Sequence, residues 1–149
     1  METVIAKVAE LFKAVHADLR EEVRGLDEAA LNWAPAPETN SIAVLVVHTL
    51  GSEAEVLRTL RALPNDRDRD AEFRTTATTA DDLIAQLDAG DLYLAEMAAG
   101  ITVADLATIH HRGERAPQTG LHWLISNYGH AREHLAHVQL TKQVYRASH

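Results

Sequence analysis

The sequence predicts an all-α protein built as a four-helix bundle. Apolar residues recur at three- and four-residue steps in four separate stretches. Glycine and proline are few, seven and four in 149 residues, while alanine and leucine are abundant, which favours helix over sheet. Side chains that cap helix N-termini stand where the apolar stretches begin.

The first helix is expected from about Thr3 to Arg24, with Val4, Val8, Leu11, Phe12, Val15, Leu19 and Val23 on one stripe. Gly25 closes it, and Asp27 caps a short turn through Leu31. Two prolines, Pro35 and Pro37, make the segment from Trp33 to Asn40 a connector. Asn40 or Ser41 caps a second helix that runs to about Leu63, before Pro64. The charge run from Asn65 to Asp70 is expected as a solvated loop. Thr79, followed by Asp81 and Asp82, opens a third helix carrying Leu83, Ile84, Leu87, Leu92, Leu94 and Met97. Gly90 weakens that helix in its middle. Residues 100–118 are less regular, with a short helix expected from Val103 to Ile109. Thr119 or Gly120 begins a fourth helix that reaches about Tyr145. Its length suits one domain over residues 1–149, and the long connectors permit a crossover topology.

The formal net charge is −8 and the arginines are dispersed among acids, so no basic stripe offers itself to a duplex. Neither nucleic acid nor an anionic membrane is an expected partner. Cysteine is absent, which excludes disulfides, thiolate ligands and a cysteine nucleophile. The N-terminal stretch alternates charged and apolar residues and lacks the run of a signal peptide. No segment approaches the roughly 20 apolar residues of a membrane span. A cytoplasmic protein is expected.

Nine histidines are present, and their placement carries the chemistry. His130 and His134 stand four residues apart on the fourth helix, about 40° apart around its axis, a spacing that chelates one ion with little distortion. His137 falls on the same face one turn on. An isolated pair at this spacing is more often just polar. His48 lies in the apolar run Ile42–Leu50 of a second helix, where a lone histidine is usually a core residue with one hydrogen bond. Three neutral imidazoles from two facing helices would leave a coordination position open, as catalytic zinc sites do. His130-Ala-Arg-Glu133-His134 also matches the H-x-x-E-H protease pattern. That reading is set aside, because only 15 residues remain after His134 for a downstream ligand, and Glu133 points to the other side of the His130 direction.

Several segments resemble the DinB-like superfamily of metal-binding four-helix bundles. Leu31 to Pro35 and Glu38 to Ala43 resemble its approach to the second helix, and His48-Thr-Leu-Gly-Ser-Glu53 its first ligand segment. Asp66 to Phe73 is similar to a loop of many bacterial members, and His130-x-x-x-His134-Leu-x-His137-x-Gln139 to the closing helix. Ala136 and His137 depart from the Gly-Gln or Gly-His usual there. The resemblance implies an up-down-down-up bundle, often a homodimer. It implies His48, His130 and His134 as metal ligands, with His137 outside the set.

The resemblance also implies a function. Relatives include transferases and isomerases dependent on mycothiol, bacillithiol or glutathione. The expectation is a divalent-metal-dependent thiol S-transferase, with zinc foremost and nickel next, acting on a small-molecule thiol and an electrophile. A metal-dependent hydrolase and a non-enzymatic, stress-responsive metal-binding or dimerisation protein are the alternatives. No catalytic residue is assigned; His137, Glu53 and Glu55 are candidates for a general base only by proximity.

Overall fold

Each helix begins on a side chain that bonds its own first turn, which is why the sequence breaks where it does. The structure, a computed structural model, describes residues 3–149. Met1 and Glu2, where the N-terminal segment and the expected domain begin, lie outside them. In chain order the elements are α1 (Val4–Val23), α2 (Glu28–Asn32), α3 (Ile42–Leu60), α4 (Arg69–Phe73), α5 (Ala80–Ala99), α6 (Val103–Ala107), β1 (Ile109–His110), β2 (Gln118–Thr119) and α7 (Gly120–Ser148). Thr3, Asp27, Ser41, Asp68, Thr79, Thr102 and Thr119 are the N-caps, each accepting a backbone N–H three residues on. Of the alternatives the sequence left open, Ser41 and Thr119 cap.

The side-chain pairs fix the topology. His16 of α1 meets Asp91 of α5 while Arg20 meets Asp88, so these helices are antiparallel. Ser52 of α3 meets Asn127 of α7 while His48 faces His130 and His134, so this pair is antiparallel too. Phe12 touches Tyr128 and Lys142 reaches Glu22, which makes α1 and α7 parallel. Arg58 meets Tyr93 and Arg61 meets Met97, which makes α3 and α5 parallel. The bundle is up-down-down-up, as expected. Its core joins Phe12, Val15 and Leu19 to Leu45, Leu57, Leu87, Leu94, Leu124 and Leu135. No helix among the described residues is long and apolar enough to cross a membrane.

Four local expectations are corrected. The helix expected to reach Leu63 ends at Leu60, because Leu63 N–H bonds Arg58 O and Ala62 N–H bonds Thr59 O, closing the end with Ala62 at φ +53°. The short helix expected to reach Ile109 ends at Ala107, and Ile109 and His110 pair instead with Thr119 and Gln118. Val4, Leu11 and Leu92, counted in apolar stripes, are exposed. The expected loop from Asn65 to Asp70 is solvated at its aspartates, but Arg67 turns its side chain inward and α4 begins at Arg69.

Gly90 does not interrupt α5. A Cβ there would lie 2.8 Å from Leu50 Cδ2, so the missing side chain lets α5 approach α3.

Candidate metal centre

The centre grows from one face of α3. His48, Ser52 and Glu55 follow at steps of four and three, and α7 lies antiparallel against that face with Asn127, His130 and His134. His48, His130 and His134 each offer one ring nitrogen, and the three nitrogens lie within 4.8 Å of one another. The His130 and His134 Nε2 atoms are 2.9 Å apart, and the His48 ring centroid is 5.1 and 5.0 Å from theirs. The three histidines singled out in the sequence are thus brought to one point.

Their surroundings keep these imidazoles neutral. Burial, then the nearness of His134 and His48 and of Arg112 and Arg67, lowers the His130 pKa to about 4. Burial and the nearness of His48 and His137 lower His134 to about 4. His48 is lowered by burial and by Arg67 and Arg69, against the pull of Glu72. A neutral imidazole keeps the lone pair a metal needs.

What lies behind His48 came from no sequence motif. Its Nδ1 is 3.0 Å from Glu72 Oε1. With Nδ1–H donating to that carboxylate, the Nε2 lone pair is left to the triad, the arrangement that commonly orients a metal-binding histidine. Arg67 holds Glu72 in place through two parallel bonds of 2.8 Å, and donates a third, of 2.9 Å, to Glu55. Arg112 donates to Glu55 at 2.6 Å and to Ser52 Oγ at 3.2 Å, and Asn127 donates to Ser52 Oγ at 2.8 Å. Gly51 makes room for this wall, since a Cβ there would sit on the Glu72 carboxylate. Glu72 lies at the end of the family-like segment 66–73, and only that likeness hinted at it. Nothing in the irregular stretch 100–118 marked Arg112.

The proposed bases fall in different places. Glu53 turns away from the triad, and its Oε2 bonds His16 Nε2 at 2.8 Å. Burial would raise the Glu55 carboxyl, but hydrogen bonds from Arg67 and Arg112 more than reverse this, so its lone pairs are committed to guanidiniums. His137 is exposed, with its Nδ1 3.2 Å from His134 Nδ1. Glu133 is exposed on the outer side of α7.

The donor set fits a divalent ion. His130 Nδ1 is buried and has no hydrogen-bond partner among the described residues. With metal–nitrogen bonds of about 2.0–2.1 Å, tetrahedral zinc asks for nitrogens roughly 3.4 Å apart, a spacing between the 2.9 Å of the His130–His134 pair and the 4.8 Å that bounds the set. No carboxylate is among the three, so the site favours a metal that accepts imidazole.

The comparisons agree with this architecture. The crystal structure of a conserved protein from Enterococcus faecalis superposes with a TM-score of 0.77 at 17% identity, covering 96% of this chain and 97% of that one. A DinB-like protein from Bacillus cereus gives 0.74 at 14% identity, over 93% and 90% of the two chains. A DinB-like protein from Bacillus subtilis gives 0.70 at 18% identity, over 96% and 92%. At these identities the likeness is one of fold. No curated protein matches the chain. The sequence pattern of the DinB superfamily matches residues 11–138, a span that holds the four bundle helices' facing segments and all three clustered histidines. The chain belongs to the DinB superfamily.

Proposed function

We propose that the protein is a divalent-metal-dependent enzyme that transfers a low-molecular-weight thiol to an electrophile. His48, His130 and His134 hold the ion, with zinc foremost and nickel next. The observation that carries this reading is the convergence of three neutral imidazoles from two helices, with their nitrogens within 4.8 Å and a donor set that leaves a position open. When bound, the ion supplies the positive charge that favours thiolate over thiol at neutral pH.

The chain's own residues supply position and surroundings. Glu72 and Arg67 fix the His48 ring, and α7 fixes the other two rings. A cavity of about 360 Å³ opens beside His134 and His137, walled by Leu45, Leu140 and Val144, and accepts the apolar body of an electrophile. Sulfur attacks the electrophilic carbon, a carbon–sulfur bond forms, and the leaving group departs with the bonding pair. The thiol proton passes to solvent. Cysteine is absent from the chain, so the reacting sulfur arrives with the substrate.

The test is metal stoichiometry by mass spectrometry on untagged protein, followed by turnover with mycothiol, bacillithiol and glutathione against a panel of electrophiles. Near-stoichiometric zinc or nickel, with turnover lost in His48→Ala, His130→Ala and His134→Ala, is expected. Full metal occupancy with no thiol-dependent turnover anywhere in the panel would overturn the proposal.

A further inference from the structure

A second cavity, of about 290 Å³, opens on the other side of the triad, with His48 and His130 in its wall. Four arginines line it: Arg67, Arg69, Arg112 and Arg115. No aspartate or glutamate does. This is unusual in a chain of net charge −8. Two carboxylates stand behind the arginines. Glu72 takes Arg67, and Glu55 takes Arg67 and Arg112. Arg115 comes no nearer than 3.9 Å to Glu55. Arg69 lies over the Phe73 ring at 4.8 Å and has no ion pair among the described residues. Asp66, Asp68 and Asp70, near Arg69 in sequence, and Glu114, next to Arg115, are exposed. Four guanidiniums against two carboxylates leave the pocket with two positive charges in excess, beside neutral imidazoles.

We propose that this cavity binds a carboxylate carried by the thiol substrate, so that the preferred thiol is a small mercapto-acid. The inference rests on the proposed thiol chemistry in naming the ligand a substrate. The guanidinium fork matches a carboxylate in shape and charge. The volume holds a fragment of a few carbons, since a water occupies roughly 30 Å³ of liquid. A group anchored there lies against His48 and His130, so a sulfur two or three bonds away is delivered to the triad. The apolar cavity beside His134 is then left for the electrophile. Ser126 and Asn127 on the same wall add polar contacts.

Trp123 lines this cavity with Arg112 over its ring at 5.6 Å, and Trp33 is the only other tryptophan. Fluorescence of the Trp33→Phe protein therefore reports on the cavity. Succinate should change its emission saturably, and succinamide should not. In the same background, Arg69→Gln and Arg115→Gln should each weaken succinate binding about tenfold, the loss of one charged contact of about 1.4 kcal/mol. Both arginines are on the outer side, and circular dichroism checks that the variants stay folded. In metal-loaded protein with monobromobimane as electrophile, either substitution should reduce the preference for mercaptosuccinate over 2-mercaptoethanol in kcat/KM about tenfold. Equal binding of succinate and succinamide, tighter binding of inorganic phosphate than of succinate, or variants that bind as tightly as the parent would each overturn the assignment. The two proposals fail separately. Thiol turnover with no preference for the acid refutes the carboxylate subsite and leaves the thiol chemistry standing. Arginine-dependent succinate binding with no turnover of either thiol refutes the transferase and retains a carboxylate site.

Discussion

Two sets of histidines sit in this bundle, and they differ in what occupies their ring nitrogens. His16 is fully buried, and carboxylates take both nitrogens: Asp91 Oδ1 at 2.7 Å on Nδ1 and Glu53 Oε2 at 2.8 Å on Nε2. Arg20 bonds Asp91 and Asp88 and extends the network to the surface. Burial disfavours the imidazolium, but Glu53 and Asp91 outweigh it and raise the His16 pKa. His48, His130 and His134 are lowered instead. Among the described residues the carboxylate hydrogen-bonded to this set is Glu72, placed behind His48 and not between the rings. One environment stores a proton in the core, and the other leaves lone pairs pointing at a common centre. Histidine type alone does not make a candidate ligand; ring nitrogens free of carboxylates and gathered at one point do.

The largest expected effect separates the two sets. His16→Ala leaves Glu53 buried without its partner and should destabilise the fold by about 3–5 kcal/mol in urea denaturation. Metal content should not change. A loss below about 1 kcal/mol would show that Glu53 is readily hydrated, and a loss of metal would tie the two sets together. Replacement of any one of His48, His130 and His134 by alanine should cut metal affinity more than the hundredfold that outer partners typically cost, while His137→Ala should cost less. An empty site in His137→Ala with a full one in His130→Ala would reassign the ligands to His134 and His137.

Next in size is the support behind His48. Glu72→Ala should lower metal affinity roughly 10–100-fold, because the His48 ring loses its orienting acceptor. Gly51→Ala should act in the same direction and less strongly, since its methyl displaces the Glu72 carboxylate and that side chain can shift. Competition with a chelating dye measures both. If Glu72→Ala binds metal as tightly as the parent, packing alone holds the ring.

The helices were legible because their signals are local. Thr3, Asp27, Thr79 and the stripes beside them act within one or two turns, and the His130–His134 pair is a property of one helix. The wall behind the site is not local. Glu72 meets His48 across 24 residues, and Arg112 meets Glu55 across 57. A charge run such as Asp66 to Asp70 reads the same whether every member faces water or one arginine folds inward. Gly51, a glycine inside an otherwise regular helix, was the trace that something approaches α3 closely, but sequence does not say what. His16 sat in a regular apolar stripe, and its carboxylates come from two other helices.

The smallest effect sharpens the comparison most, because the two sets should pull stability in opposite directions with pH. His16 holds its proton more tightly folded than unfolded, where its pKa is about 6.5. Its contribution is therefore complete below about pH 6.5 and is lost as pH rises through the raised folded value. Glu53, raised by burial, acts in the same sense. His130 and His134, lowered to about 4, contribute the reverse: in protein stripped of metal, their share is present above about 6.5 and lost as pH falls toward 4. Stability of the stripped protein should fall on both sides of neutrality. His16→Gln should flatten the alkaline limb and leave the acid limb steep, while His130→Ala should soften the acid limb alone. Restored metal should steepen the acid limb further, because protonation then also releases the ion. An alkaline limb unchanged in His16→Gln would mean that the core proton resides elsewhere, and the contrast between the two histidine environments would lose its basis.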